Sequence, residues 1–169
     1  MKLYLLISGI IITSLLTDTT SGQANLTACQ PYFQQNPYLK RWAGQFRHFR
    51  LDSFKLMHTD SFDNMPPDTI DPASRDTRAY FDIYTPLLSY SPDKKKWLDF
   101  YSTQVAFEKI NKGRKKLRAN MDVDQTLLLG DLNKKTLGRI SFFGASSWIE
   151  EAVWTSNNQF ILACVNSQE

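Results

Sequence analysis

Side chains able to do acid–base, nucleophilic or metal chemistry are few in this chain, and they are scattered. There are two histidines, His48 and His58. A zinc site takes three or four ligands at defined spacing, and two separated histidines with two cysteines do not supply one. Asp122-Val123-Asp124 places two carboxylates on one face of an extended segment, and Asp60, Asp63, Asp68, Asp71 and Asp76 crowd another stretch. Calcium uses such oxygens, but the EF-hand spacing with its central glycine and terminal glutamate is missing. These acids read as solvated loop residues. Glu150 and Glu151 are adjacent, so in a strand they point to opposite faces and do not form a facing acid/base pair. Serines are plentiful, yet no Gly-x-Ser-x-Gly elbow occurs, and Gly130, Gly138 and Gly144 are too isolated to cradle a phosphate. No catalytic constellation and no cofactor is implied. A hydrolase would have to use carboxylates that no motif singles out.

The densest charge lies in Lys109, Lys112, Arg114, Lys115, Lys116 and Arg118. Such a cluster meets anionic headgroups or acidic glycans; equally, it discourages strand edges from pairing. Net charge is only +3, which calls for no polyanionic partner.

Compartment is better marked. Lys2 precedes a 14-residue, mostly apolar run, Leu3–Leu16, too short for an ordinary membrane span; Gly22-Gln23-Ala24 then offers small residues at a cleavage site. The pattern predicts a signal segment over residues 1–24 and a mature chain over 25–169. That chain would be exported to a periplasmic or extracellular space, with no transmembrane span, and an anionic surface or another envelope protein as its partner. Export makes nucleic acid a poor partner. Leu26-Thr27-Ala28-Cys29 resembles a bacterial lipobox, so lipid anchoring through Cys29 is the competing reading. Cys29 and Cys164 are the only cysteines, and an oxidising compartment permits a disulfide between them. The third alternative is two free thiols, with Cys164 a small buried residue. Asn25-Leu26-Thr27 matches a glycosylation acceptor.

The elements follow from periodicity. The spacing predicts a mainly β fold with one N-terminal amphipathic helix. Asn36-Pro37 reads as N-cap and first helical residue. Tyr38, Leu39, Trp42, Phe46 and Phe49 then fall at helical spacing over 37–49. Gln30–Gln35 reads as irregular, Arg50–Met57 as a short strand, and Asp60–Asp76 as a long loop. Strands are expected at 78–84, 86–90, 96–102, 104–110 and 114–120. In 96–102, Leu98, Phe100 and Ser102 are expected inward and Trp97, Asp99 and Tyr101 outward. Four further strands, 125–132, 136–143, 149–154 and 159–165, are separated by polar turns and predict an antiparallel meander. Phe160–Val165 is apolar at every position and should be interior. No linker separates two cores, so one β-rich domain is expected.

Pro86–Ser102 and Ile149–Val165 each run as a strand ending in an aromatic, a polar turn and a second strand. With the hairpin 126–143 between them, they resemble the strand rhythm of β-propeller repeats, in which Ser-Pro-Asp turns join neighbouring strands. The resemblance covers about half the chain and lacks the Gly-His and Trp-Asp signatures. It implies a partial, propeller-like sheet, because the chain is too short for a closed propeller.

Overall fold

The computed structural model describes residues 10–14, 29–53, 68–71, 74–109 and 117–166. The fold is mainly antiparallel sheet with few helices. Backbone packing divides the chain into two compact units, one from Met1–Ser61 with Ser146–Glu169 and the other from Phe62–Ala145.

The first unit is a three-stranded sheet with two short helices. Strand β1 is Ile10–Ser14, inside the predicted leader; helix α1 is Gln30–Gln35 and α2 is Pro37–Ala43. The two strands at the other end of the chain, β9 (Ser147–Ser156) and β10 (Gln159–Asn166), form a hairpin about Asn157-Asn158. The order is β1-β10-β9, so β10 is hydrogen-bonded on both sides, as its unbroken apolar run predicts. Asn36 caps α2: its side-chain oxygen accepts from the N–H of Tyr38 and Leu39 at 3.0 and 3.2 Å, with Pro37 at the first helical position.

Two helical expectations need correction. Gln30–Gln35 is helical, not irregular. Helix α2 stops at Ala43, not Phe49: Gly44 follows it, and turns from 44 to 48 replace the next helical turns. Phe46 and Phe49 still reach the core, with ring centroids 4.9 and 5.6 Å from Trp42. The core gathers Cys29, Phe33, Leu39, Trp42 and Leu51 with Val153, Ile161 and Ala163 of the sheet. Leu51–Ser53 is a 3-10 turn rather than part of a strand, and Arg50 before it is in no strand; residues 54–57 of the expected strand lie outside the described residues.

The second unit carries a five-stranded sheet of order β2-β8-β7-β4-β3, built from β2 (Asp68–Thr69), β3 (Ser89–Tyr90), β4 (Lys96–Asp99), β7 (Gln125–Asp131) and β8 (Thr136–Phe143). A separate hairpin pairs β5 (Val105–Lys109) with β6 (Leu117–Met121). The four strands from residue 125 onward all form, but they do not share a sheet. β7 and β8 pair in this unit, β9 and β10 in the other, and the break falls at Gly144–Ser146.

Residues 75–84 are a helix, α3 (Arg75–Tyr84), where a strand was expected from Arg78. Ser74 caps it, its Oγ accepting from the Thr77 N–H at 3.1 Å, and Asp76 sits in the first turn, where a carboxylate is favoured. Tyr80, Phe81 and Tyr84 then fall on one helical stripe. Phe81 meets the Trp97 ring at 5.2 Å, and Tyr84 meets Phe107 at 5.6 Å. The expected strand 86–90 shrinks to Ser89–Tyr90 behind a 3-10 turn, Thr85–Leu87.

Candidate functional site

The most heavily bonded polar cluster among the described residues centres on Asp99. This carboxylate, at the end of β4, is 0% exposed, and the expectation that it faces outward is overturned. Trp97, expected on the same outward face, is fully buried too, as is Leu98, so β4 is covered on both faces. One Asp99 oxygen accepts from the N–H of Tyr101 and Ser102 at 3.0 and 2.9 Å. The other accepts from the Tyr80 hydroxyl at 2.6 Å and from the Ser102 hydroxyl. Trp97 Nε1–H donates to the Tyr80 oxygen at 3.3 Å.

A buried carboxylate is tolerable only when its lone pairs are used. Here four neutral donors, three from the turn that ends β4 and one from α3, fill them. The same arrangement pushes the Tyr80 phenol well above its ordinary value, first through burial and then through its bond to Asp99. A phenol held protonated beside a carboxylate already bound by four donors is a poor acid and a poor base. The cluster works as a latch that ties α3 to β4.

Other buried polar groups behave alike. Ser91 Oγ donates to Asp93 at 2.8 Å and accepts from the Lys96 N–H at 3.0 Å, closing the Ser-Pro-Asp-Lys-Lys turn. Those contacts, with the Lys95 N–H, hold the exposed Asp93 below its ordinary value. Asp131 accepts from the N–H of Asn133 and Lys134 in the next turn.

Glu150 and Glu151 take different partners, and a bulge interrupts the ladder at this point. Glu151 pairs with Ala163 and Ile149 with Cys164, which leaves Glu150 unopposed. Glu151 reaches Arg41 of α2 at 2.7 Å. Glu150 accepts from Trp148 Nε1 at 3.2 Å, and its other oxygen is buried without a partner among the described residues. A second bulge falls at Thr155, whose carbonyl accepts from the Tyr32 hydroxyl at 3.3 Å.

Cys29 and Cys164 are free thiols, each buried, and they are not within disulfide distance. The expected bond is therefore corrected: Cys29 belongs to the helix-side core, while Cys164 is a strand residue opposite Ile149. Burial, helped by Glu150, pushes the Cys164 thiol up to about 12. Burial also raises Cys29.

Of the basic cluster, Lys109 ends β5 opposite Leu117, and Arg118 lies on β6 opposite Glu108. Lys112, Arg114, Lys115 and Lys116 lie outside the described residues, as does His58. His48 is exposed. No three His, Cys, Asp or Glu side chains come together to hold a metal among the described residues. No helix among them is long and apolar enough to cross a membrane. Sequence reasoning missed Asp99. The available signal was Asp99 followed by Tyr101-Ser102, a carboxylate able to accept from the backbone two and three residues on.

Comparison with protein-family models, with curated proteins and with solved structures found no match for this chain.

Proposed function

We propose that the chain is an exported, non-catalytic binding or structural module. The observation that carries this reading is Asp99: the best-organised polar cluster among the described residues spends its donors and acceptors on the fold. Export rests on the Lys2, Leu3–Leu16 and Gly22-Gln23-Ala24 pattern. Burial of Cys29 within the helix-side core favours cleavage ahead of it over lipidation at it. The sheet neighbours β8, β7, β4 and β3 run antiparallel in turn, which supports a propeller-like blade interrupted by the β5–β6 hairpin. Amino-terminal sequencing of the exported protein tests the reading. A start near Asn25 supports it, whereas a lipid-bearing start at Cys29 replaces it with an anchored protein.

A second reading makes the basic hairpin the binding element. Its support is the ladder that sets Lys109 and Arg118 on facing strands of one hairpin, with four further cations between them in sequence. Binding to phosphatidylserine vesicles should then weaken steeply between 50 and 300 mM salt, because exposed charges are screened (the Debye length is about 8 Å at physiological ionic strength). The Lys115→Glu/Lys116→Glu chain should bind less at low salt. Equal binding by that chain would remove the hairpin from consideration.

A further inference from the structure

Strand β1 and the core of the leader are the same residues. Ile10–Ser14 pairs antiparallel with Gln159–Ala163 along one side of β10, and β9 pairs along the whole of the other side. Cleavage after Ala24 would therefore take away one neighbour of β10. The residues Gln159–Asn166 hold no charge, no proline and no glycine, so the exposed edge would carry none of the features that keep free edges from pairing. Phe160 to Val165 are all buried, so the strand left with an unpaired backbone edge is apolar on both of its faces.

The occupant can be specified from what β1 provides: a short, extended, uncharged strand of Ile-Ile-Ile-Thr-Ser that runs antiparallel to β10. The strand β10 of a second copy meets each requirement. It is uncharged, apolar and extended, and it lies antiparallel to its counterpart when two copies are related by a two-fold axis. Such a contact uses the same edge on both copies and closes, whereas a head-to-tail contact would propagate. We infer that the processed protein is a homodimer joined edge to edge through β10, in a β9-β10-β10-β9 sheet, and that the leader strand keeps the unprocessed chain monomeric. This inference rests on the export reading.

The test uses the exported protein and a full-length Ala24→Tyr chain in which the small residue before the cleavage point is gone. Amino-terminal sequencing comes first. A retained Met1 on the exported wild-type protein overturns cleavage of the leader and the dimer with it. With a start near Asn25, light scattering should give twice the chain mass for the wild type and one chain mass for Ala24→Tyr. Amides of Phe160–Ala163 should exchange slowly in the dimer. An excess of an Ile10–Ser14 peptide flanked by lysines should take the vacated edge and convert the dimer to monomer. A processed monomer, an open-ended assembly, or a dimer indifferent to the peptide overturns the inference while leaving export standing.

Discussion

The indole of Trp97 occupies the space that any side chain at Gly130 would need. The two residues are direct partners across the β4–β7 ladder, and a Cβ at position 130 would overlap indole atoms Cε2, Cζ2 and Cη2. Trp97 has no room to retreat, since Phe81 packs against its ring and Tyr80 takes its N–H. Gly130→Ala should therefore cost about 3 kcal/mol, the upper part of the range for overpacking a core. Gly144 has open space about its missing Cβ, so Gly144→Ala should change stability by no more than about 0.5 kcal/mol. Urea melts of both variants check this; equal midpoints would mean that the Trp97–Gly130 contact does not hold the sheet.

The Asp99 latch makes a second prediction. Asp99→Ala strands the Tyr80 and Ser102 hydroxyls and two turn N–H groups, and each buried unpaired group costs roughly 1–3 kcal/mol. The variant should lose about 4 kcal/mol or fail to fold. Tyr80→Phe removes one bond to the carboxylate and one from Trp97, and should lose about 2 kcal/mol. The order of the two losses, read from denaturant midpoints, is the check. A Tyr80→Phe loss equal to or above that of Asp99→Ala contradicts a carboxylate-centred latch.

The buried thiol and phenol predict alkaline weakening. Cys164 is pushed from 9.0 up to about 12, and the Tyr80 phenol is raised above its ordinary 10.0. In the unfolded chain these groups ionise near their ordinary values, while the folded chain keeps its protons. The unfolded state then binds fewer protons, so stability falls as pH rises. It should be level below about pH 9. Above that it should fall by up to about 1.4 kcal/mol per pH unit for each group engaged, Cys164 first and Tyr80 above pH 10. Cys164→Ala should flatten the slope of midpoint against pH between 9 and 10 relative to wild type. A thiol titration without reductant should find two reactive thiols after unfolding and slow reaction before it. A midpoint unchanged from pH 8 to 10.5 would show that neither group is held neutral.

How much of this could be read in the residues differs by element. Asn36-Pro37, the Ser91–Lys95 turn and the interior run of β10 are local signals, and the structure follows them. Helix α3 was missed because Tyr80, Asp82 and Tyr84 alternate as a strand would, while Tyr80, Phe81 and Tyr84 also mark one helical stripe. Ser74 with Thr77, and Asp76 in the first turn, were the signals that decide for helix. The partition of the last four strands between two sheets was not legible, because pairing of β7 with β4 and of β10 with β1 depends on partners far away in sequence. Asp99 looked outward for the same reason: its Tyr80 donor lies 19 residues earlier.

Two turns store backbone strain. Lys94 and Lys135 have φ of 57° and 54°, in the left-handed region that costs a residue with a Cβ about 1–2 kcal/mol. Glycine relieves that cost but loses more freedom on folding. The net gain for Lys94→Gly should be about 0.5–1 kcal/mol, seen as a rise in melting temperature. A fall would mean that the Lys94 side chain contributes more than its backbone costs.

The final prediction concerns Ile161. It is 0% exposed and packs with Leu39, Trp42 and Val153 where the helices meet the sheet. Ile161→Asp would bury an unpaired carboxylate there, a cost of several kcal/mol that a marginally stable domain does not survive. Asn158 sits in the two-residue turn of the β9–β10 hairpin, with its N–H on Ser156 Oγ at 3.2 Å; this bond uses the backbone of 158 and survives a side-chain change. Asn158→Ser should therefore stay within about 1 kcal/mol of wild type. Thermal melts of the two variants separate a strand at the centre of its core from one on the surface. If Ile161→Asp melts with the wild type, β10 is not packed against the helices and the first unit is organised about some other stretch.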